Sequence, residues 1–219
     1  MIGIFGGTFD PIHYGHLRTA LEVKQALGLS EVRFIPARLP PHRAPPVAPP
    51  EARRQMLKLA LKDAPAGFKL DERELLRSGP SYMVDTLRSL RQELGQAPLA
   101  LLLGVDAFLG LPTWHEWREI LRLAHLIVMS RPGYSLDFPA LLQREWEQRK
   151  VEDPTSLAKM PGGAMYFQPV VQLEISSSFI RTSLAKGRDP RYLLPDSVLA
   201  WIRQEGYYQL LNSEDRYHE

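Results

Sequence analysis

Hydrophobic and polar positions divide the chain into short apolar runs and longer segments with apolar residues at helical spacing. The apolar runs predict strands at residues 2–5, 31–36, 68–70, 99–103, 125–130, 164–168 and 170–175. The amphipathic segments predict helices at residues 14–28, 51–64, 81–94, 114–124, 177–186 and 195–205, and residues 138–149 are compatible with one more. Strands that alternate with helices predict an α/β fold, a Rossmann-like doubly wound parallel sheet with helices on both faces.

The predicted organisation is a single domain over residues 1–219. Its parts are a sheet-based core at 1–175, a small C-terminal helical part at 176–211 and a polar tail at 212–219. The carboxyl ends of parallel strands share one edge of a sheet, and ligands of such folds bind there. Segments 6–16 and 104–106 both follow predicted strands, so we expect them to face one cleft.

The composition excludes several kinds of chemistry. The chain has no cysteine, so disulfides, thiolate catalysis and cysteine-ligated zinc are excluded. The formal charge of +2 is nearly balanced and predicts neither a nucleic-acid nor a membrane partner. No apolar run reaches the roughly 18 residues of a membrane helix. The first residues have the pattern of a strand and not of a signal peptide, so we expect a cytoplasmic protein.

The segment after the first predicted strand has the pattern G-G-T-F-D-P-I-H-Y-G-H. Glycines at this turn let the backbone approach a ligand closely, and the helix N-terminus just beyond it attracts phosphate. Histidines can donate hydrogen bonds to phosphoryl oxygens. The alternative is a tight turn whose histidines merely cap the helix. The contact residues predicted here are Gly6, Gly7, Thr8, Phe9, His13 and His16.

A second predicted anion site is the motif I-S-S-S-F-I-R at residues 175–181. It places Ser177 and Ser178 at the start of a predicted helix, with Arg181 one turn further on. Hydroxyl groups, a helix N-terminus and a guanidinium together favour an anion. The alternative is plain N-capping by a serine, which needs only one hydroxyl group.

Residues at the ends of later strands complete the predicted cleft. Gly104 leaves room for a ligand at a strand end, and Asp106 can accept a hydrogen bond from a ribose hydroxyl. Arg131 can pack on a purine or reach phosphates, although an ordinary surface charge is the alternative. Trp114 can stack on an aromatic ring or belong to the core, and Trp117 shares its helix face if the helix begins at residue 114.

Two further segments are candidates for binding an anionic group of a ligand. Residues 37–50 contain six prolines together with His42 and Arg43, a basic pair that can meet an anionic substrate or belong to a solvated linker. The predicted helix start at Ser81, Tyr82 and Thr86 offers first-turn N–H groups to a carboxylate.

Taken in chain order, these motifs resemble those of the bacterial nicotinate-nucleotide adenylyltransferases, a family of the class I nucleotidylyltransferase superfamily. The matching segments are G-G-T-F-D-P at 6–11, H-Y-G-H at 13–16, P-P-H-R at 40–43, L-G-V-D at 103–106, P-T-W at 112–114 and I-S-S-S-F-I-R at 175–181. The segment P-S-Y-M at 80–83 departs from the family, because Met83 stands where a threonine is usual.

The resemblance implies transfer of the adenylyl group of ATP to nicotinate mononucleotide, with release of pyrophosphate, on a Rossmann-like fold. It implies Mg²⁺ bound mainly through the ATP phosphates, with no protein residue as metal ligand. The residues implied in catalysis are His13, His16 and Arg181. Those implied in ATP binding are Gly6, Gly7, Thr8, Phe9, His13, His16, Gly104, Asp106, Arg131, Ser177, Ser178 and Arg181. Those implied in nicotinate mononucleotide binding are His42, Arg43, Ser81, Tyr82, Thr86 and Trp114.

Two alternatives remain open at the level of sequence. One is another adenylyltransferase of the superfamily, with nicotinamide mononucleotide or phosphopantetheine as the acceptor. The other is a non-catalytic nucleotide-binding regulator, which predicts loss of a phosphate-site histidine, whereas His13 and His16 are both present. The sequence leaves open whether the protein is a monomer or a small homo-oligomer.

Overall fold

A computed structural model describes residues 1–41, 44–131, 138–171 and 173–209. Its strands form one parallel sheet in the order β3-β2-β1-β4-β5-β6. The strands are β1 Ile2–Gly7, β2 Glu31–Pro36, β3 Phe68–Leu70, β4 Leu99–Gly104, β5 His125–Ser130 and β6 Met165–Pro169. The predicted α/β, Rossmann-like fold class is confirmed.

Helices connect successive strands and close the described chain. They are α1 Tyr14–Ala26, α2 Pro50–Lys62, α3 Arg73–Leu76, α4 Met83–Leu94, α5 Val105–Gly110, α6 Trp117–Leu123, α7 Ala140–Arg149, α8 Ser177–Ala185 and α9 Asp196–Gln204. Short 3₁₀ helices occur at Leu111–Thr113 and Pro154–Lys159. Within the described residues, no helix has both the length and the apolar character needed to cross a bilayer.

The sheet is buried on both faces, and β4 shows how. Its residues 99–103 are all buried. Leu99, Leu101 and Leu103 pack into the apolar cluster that includes α4, α5 and α6, whereas Ala100 and Leu102 pack into the cluster that includes α1, α2, α8 and α9. Because successive strand residues point to opposite faces, a continuous apolar run satisfies both layers.

Several strand and helix boundaries predicted from the sequence were wrong. Residues 170–175 are not a strand in their described part, so that prediction was wrong. The N–H of Val171 donates to the Glu22 carboxylate at 2.7 Å, and that of Ile175 donates to the Leu173 carbonyl at 2.7 Å, so neither joins the sheet. Helix α6 begins at residue 117 and not 114, because Glu116 has a left-handed backbone (φ 48°).

Helix α4 also begins later than predicted, at residue 83 and not 81. The N–H of Ser81 donates to the Leu39 carbonyl at 2.9 Å, which holds this residue outside the helix. The short helices α3 and α5 were not predicted. The predicted tail at 212–219 lies outside the described residues, and the single-domain organisation remains a prediction.

The strand order reverses at β1, which pairs with β2 on one side and β4 on the other. In an open parallel sheet, such a reversal leaves a crevice beyond the carboxyl ends of the two central strands. Here that crevice lies between the turn after β1 and the start of α5 after β4.

Candidate functional site

A cleft of about 1370 Å³ opens at the carboxyl edge of the sheet. The predicted site residues that line it are Gly6, Gly7, Thr8, Phe9, His13, His16, Ser81, Tyr82, Gly104, Asp106, Trp114, Arg131, Ser177, Ser178 and Arg181. Thr86 is not among the lining residues. His42 and Arg43 lie outside the described residues.

The two histidines form a stacked pair at the start of α1. Their ring centroids are 3.7 Å apart, with an angle of 28° between the planes. His13 is the N-cap residue of α1, but its side chain makes no capping hydrogen bond. A Cβ at Gly15 would lie only 2.9 Å from Nδ1 of His13, so the pair requires glycine between its members. The capping alternative is therefore wrong for His13.

His13 is electrostatically unusual. It is 4% exposed, and burial lowers the pKa of its imidazole to about 4. Its Nδ1 atom is buried and has no hydrogen-bond partner in the part of the chain that the structure describes. A buried polar atom without a partner costs free energy in the folded protein, so it calls for an explanation other than stability.

The serine motif divides its hydroxyl groups among three partners. Ser176 is the N-cap of α8 and accepts from the N–H of Phe179 at 3.1 Å. Ser177 donates to the Pro11 carbonyl at 2.9 Å. Ser178 accepts from Arg181 at 3.2 Å. Capping therefore explains Ser176 alone, while Ser177 connects α8 to the turn after β1 and Ser178 holds Arg181 within α8.

Arg181 crosses from α8 to the turn after β1. Its Nη1 atom donates to the Asp10 carbonyl at 2.7 Å and lies 3.9 Å from the Asp10 carboxylate. The side chain is 26% exposed, so part of the guanidinium faces the cleft. Its remaining N–H groups can meet an anion in the same plane.

Sequence reasoning missed the roles of Asp10 and Tyr208. The Asp10 carboxylate accepts from the N–H groups of Val47 at 2.8 Å and Ala48 at 3.2 Å, and from the Tyr208 hydroxyl at 2.5 Å. Burial and the Asp10 carboxylate raise the pKa of Tyr208. Asp10 thus holds the end of the proline-rich segment and the C-terminal part of the described chain against the turn.

Arg53 was missed as well, although its sequence position carried a signal. It precedes Met56, Leu57 and Ala60 by three, four and seven residues, which places it on the apolar stripe of α2. It is 0% exposed, and burial lowers the pKa of its guanidinium. A cation within an apolar stripe indicates a buried group with a specific task.

The wall opposite the histidines is aromatic. Trp114 is partly buried and lines the cleft, and the rings of Tyr82 and His115 lie 4.5 Å apart beside it. Trp117 is 7% exposed within the core, with Arg118 4.5 Å from its ring centroid. Of the two tryptophans, Trp114 is therefore the one that lines the cleft.

Ser81 and Thr86 both belong to the segment that forms this wall, but only Ser81 lines the cleft. The Ser81 hydroxyl accepts from the N–H groups of Arg38 at 2.9 Å and Leu39 at 3.3 Å. Thr86 is fully buried and donates to Glu74 at 2.6 Å. Burial raises the pKa of Glu74, an unpredicted carboxyl group at the cleft wall. Thr86 is placed to act on Glu74 and not on a ligand.

The third wall follows β4 and β5. A Cβ at Gly104 would meet nothing within 4 Å, so this glycine leaves open space in the cleft. Asp106 is exposed in the first turn of α5. Arg131 donates to Glu174 at 2.7 Å, and both side chains are largely exposed. This wall is polar and accessible, as a ribose or a phosphate chain would require.

No group of three or more histidine, aspartate or glutamate side chains is arranged to hold a metal ion among the residues described. Divalent cations such as Mg²⁺ prefer oxygen ligands and commonly bind through substrate phosphates with few protein ligands. The cleft is wide enough for a nucleotide that carries such a cation on its phosphates.

Comparisons with known proteins identify the family and the fold. The cytidylyltransferase-like family model matches residues 4–183. A probable nicotinate-nucleotide adenylyltransferase from Methylococcus capsulatus is 56% identical over 95% of this chain and 99% of its own. One from Halorhodospira halophila is 51% identical over 94% of both chains.

A solved structure shares the fold at low identity. The nicotinic acid mononucleotide adenylyltransferase of Plasmodium falciparum, complexed with NaAD, matches with a TM-score of 0.70 at 19% identity, over 94% of this chain and 96% of its own. The chain therefore belongs to the cytidylyltransferase-like family and, within it, groups with the nicotinate-nucleotide adenylyltransferases.

Proposed function

We propose that the protein transfers the adenylyl group of ATP to nicotinate mononucleotide, forming nicotinate adenine dinucleotide and pyrophosphate. The observation that carries the proposal is the convergence of the stacked histidines, the turn after β1 and Arg181 in one cleft at the strand reversal. The names of the relatives at 51–56% identity support the choice of substrates.

The reaction needs positioning and charge stabilisation more than covalent catalysis. A phosphate oxygen of the mononucleotide attacks the α-phosphorus of ATP in line. A new P–O bond forms, and the bond to the bridging oxygen breaks, so its electron pair leaves with pyrophosphate. The protein contributes hydrogen-bond donors aimed at the charge that develops.

The donors available for the phosphates come from two parts of the cleft lining. The first part is the turn after β1 with the imidazoles of His13 and His16. The second is the start of α8, where Arg181 and Ser178 would hold the departing pyrophosphate next to that turn. Ser177 already donates to Pro11, so its role in this arrangement is to hold the turn. Mg²⁺ carried by the ATP phosphates would neutralise part of their charge.

The acceptor nucleotide fits the aromatic wall. Trp114 would stack on the pyridine ring, and the N–H groups at the start of α4 would meet its carboxylate. His42 and Arg43 remain predicted ligands of the mononucleotide, and Asp106 and Arg131 of ATP. We expect the enzyme to work in the cytoplasm, where ATP and pyridine mononucleotides meet.

The decisive experiment offers ATP with nicotinate mononucleotide, nicotinamide mononucleotide or phosphopantetheine and follows pyrophosphate release. Backbone N–H donors match a carboxylate but oppose the NH₂ of an amide. We therefore expect kcat/KM for the acid mononucleotide to exceed that for the amide by at least about a hundredfold.

Each alternative predicts a different result in the same assay. Equal rates with the two mononucleotides would remove the acid specificity. Turnover with phosphopantetheine alone would reassign the acceptor. A folded protein that binds ATP but releases no pyrophosphate with any acceptor would be the non-catalytic regulator.

A further inference from the structure

Among the described residues, Arg53 is the largest side chain that is fully buried. Its guanidinium donates to the carbonyl oxygens of Thr8 at 2.8 Å, Ala37 at 2.6 Å, Arg38 at 3.2 Å and Ala48 at 3.2 Å. Among the described residues these bonds go to carbonyl oxygens and none goes to a carboxylate. Buried charges are normally paired, so this cation needs an explanation.

Asp10 does not neutralise Arg53 by direct contact. The negative charge of Asp10 raises the pKa of Arg53 and so opposes burial, which lowers it. However, the Asp10 oxygens already accept hydrogen bonds from Val47, Ala48 and Tyr208. Arg53 is therefore held by carbonyl oxygens, and the negative charge of Asp10 acts on it without a hydrogen bond between the two side chains.

The four carbonyls belong to three segments that must be placed relative to one another. Thr8 lies in the turn after β1, Ala37 and Arg38 follow β2, and Ala48 comes just before α2. One planar guanidinium thus connects the turn to both ends of the proline-rich segment. Because a peptide unit is rigid, fixing the Thr8 carbonyl also fixes the direction of the following N–H group, that of Phe9.

Arg53 itself does not line the cleft, whereas Thr8 does. We propose that Arg53 is a positioning residue for the nucleotide phosphates. It fixes the turn that contacts them, and its buried positive charge, bonded to the Thr8 carbonyl of that turn, attracts a bound polyphosphate. This inference rests on the proposed function only in taking ATP as the ligand.

Arg91 provides a matched control because it has the same chemistry at the opposite edge of the sheet. It donates to the carbonyls of Leu123 at 2.6 Å, Gly95 at 2.9 Å, Ala97 at 2.7 Å and Pro161 at 2.6 Å. Burial lowers its pKa as it lowers that of Arg53. A purely structural role predicts the same consequences for substitution at either position.

The experiment measures binding of ATP and of adenosine by calorimetry, together with thermal unfolding, for Arg53→Gln, Arg53→Lys and Arg91→Gln. We expect Arg53→Gln to weaken ATP binding by about tenfold or more while adenosine binding stays within about twofold, because only the phosphates sense the lost charge. Arg53→Lys keeps the charge without the planar fork, and we expect ATP binding about threefold weaker. Arg91→Gln should lower the Tm and leave ATP binding unchanged.

Several results would overturn the inference. Wild-type ATP affinity in Arg53→Gln, or equal losses for ATP and adenosine, would make Arg53 a structural residue like Arg91. If Arg53→Gln does not fold, Arg53→Lys decides, and ATP affinity equal to that of the wild type would then reject the proposal. Failure of the wild-type protein to bind ATP would instead reject the proposed function.

Discussion

The amino and carboxyl ends of the parallel strands form two opposite edges of the sheet. The same residue types serve different purposes at these two edges. At the amino edge, His125 is fully buried, its Nε2 atom donates to the Met160 carbonyl at 2.9 Å, and its Nδ1 atom accepts from the Ala164 N–H at 3.2 Å. At the carboxyl edge, His13 is equally buried, but its Nδ1 atom has no partner among the described residues.

The difference separates stability from function. A buried imidazole whose two nitrogens are both hydrogen-bonded stabilises the fold and has no capacity left for a ligand. An imidazole with an unsatisfied nitrogen costs stability in the free protein, as expected of a residue kept for function. The arginines follow the same division if Arg53 acts on the phosphates and Arg91 only on the backbone.

Substitution of one histidine at each edge gives the largest expected effect. His16→Ala should reduce kcat by about 10²–10³-fold, the usual worth of one preorganised donor in the transition state, with little loss of stability. His125→Ala should instead lower the free energy of unfolding by about 1–3 kcal/mol, since it leaves buried backbone groups without partners. Steady-state kinetics and urea unfolding of both variants separate the two effects. A His16→Ala enzyme with more than half the wild-type kcat would exclude His16 from the mechanism.

Two tryptophans three residues apart test the same division at closer range. Trp114→Ala should raise KM for nicotinate mononucleotide by about tenfold and leave KM for ATP nearly unchanged, because a stacked ring contributes about 0.5–1.5 kcal/mol beyond its buried area. Trp117→Ala should destabilise the fold by about 3–5 kcal/mol through loss of core packing.

The check is KM for each substrate together with thermal unfolding of both variants. An unchanged KM in Trp114→Ala, with a raised KM for the mononucleotide in folded Trp117→Ala, would reverse the assignment.

The same comparison extends to pH dependence, where the effect is small near neutral pH. Burial lowers the pKa of both His13, to about 4, and His125. Between the ordinary histidine pKa near 6.5 and these lowered values, the unfolded chain binds more protons than the folded one. The stability is thus fully present above about pH 6.5 and falls as the pH decreases, by up to about 1.4 kcal/mol per pH unit for each histidine.

ATP should separate the two histidines in that window. Phosphate oxygens near His13 favour its protonated form, so ATP binding at pH 6 should take up more protons in the wild type than in His13→Asn. His125→Asn should leave this uptake unchanged. Calorimetry in buffers of different ionisation enthalpy measures the uptake. Equal uptake in the wild type and His13→Asn would show that the phosphates do not act on His13.

Much of the fold was predictable because burial on both faces leaves a clear pattern. Residues 31–36, 68–70 and 125–130 are strands with the predicted bounds. The failures occur where tertiary contacts override local pattern. Ser81 is removed from a helix by its bonds to the backbone after β2, and residues 170–175 alternate like a strand but bond elsewhere.

The site was predictable where a residue type has few other uses in its context. The glycines and histidines of segment 6–16 and Arg181 all line the cleft as expected. Arg53 and Tyr208 were not predicted. Arg53 bonds to backbone carbonyls and Tyr208 to the Asp10 carboxylate, and only the folded chain brings these partners near. The hydrogen bond from Thr86 to the buried Glu74 carboxyl group also joins residues that only the folded chain brings together.

The bond between Tyr208 and Asp10 has a consequence for how the protein is made. Tyr208 follows Asp10 by 198 residues, so the hydroxyl that completes the hydrogen bonds of Asp10 is synthesised after all six strands. The turn after β1 therefore obtains its last contact only when the rest of the described chain has been made. A translation product that stops before Tyr208 would contain every strand of the sheet while lacking the last contact of its site.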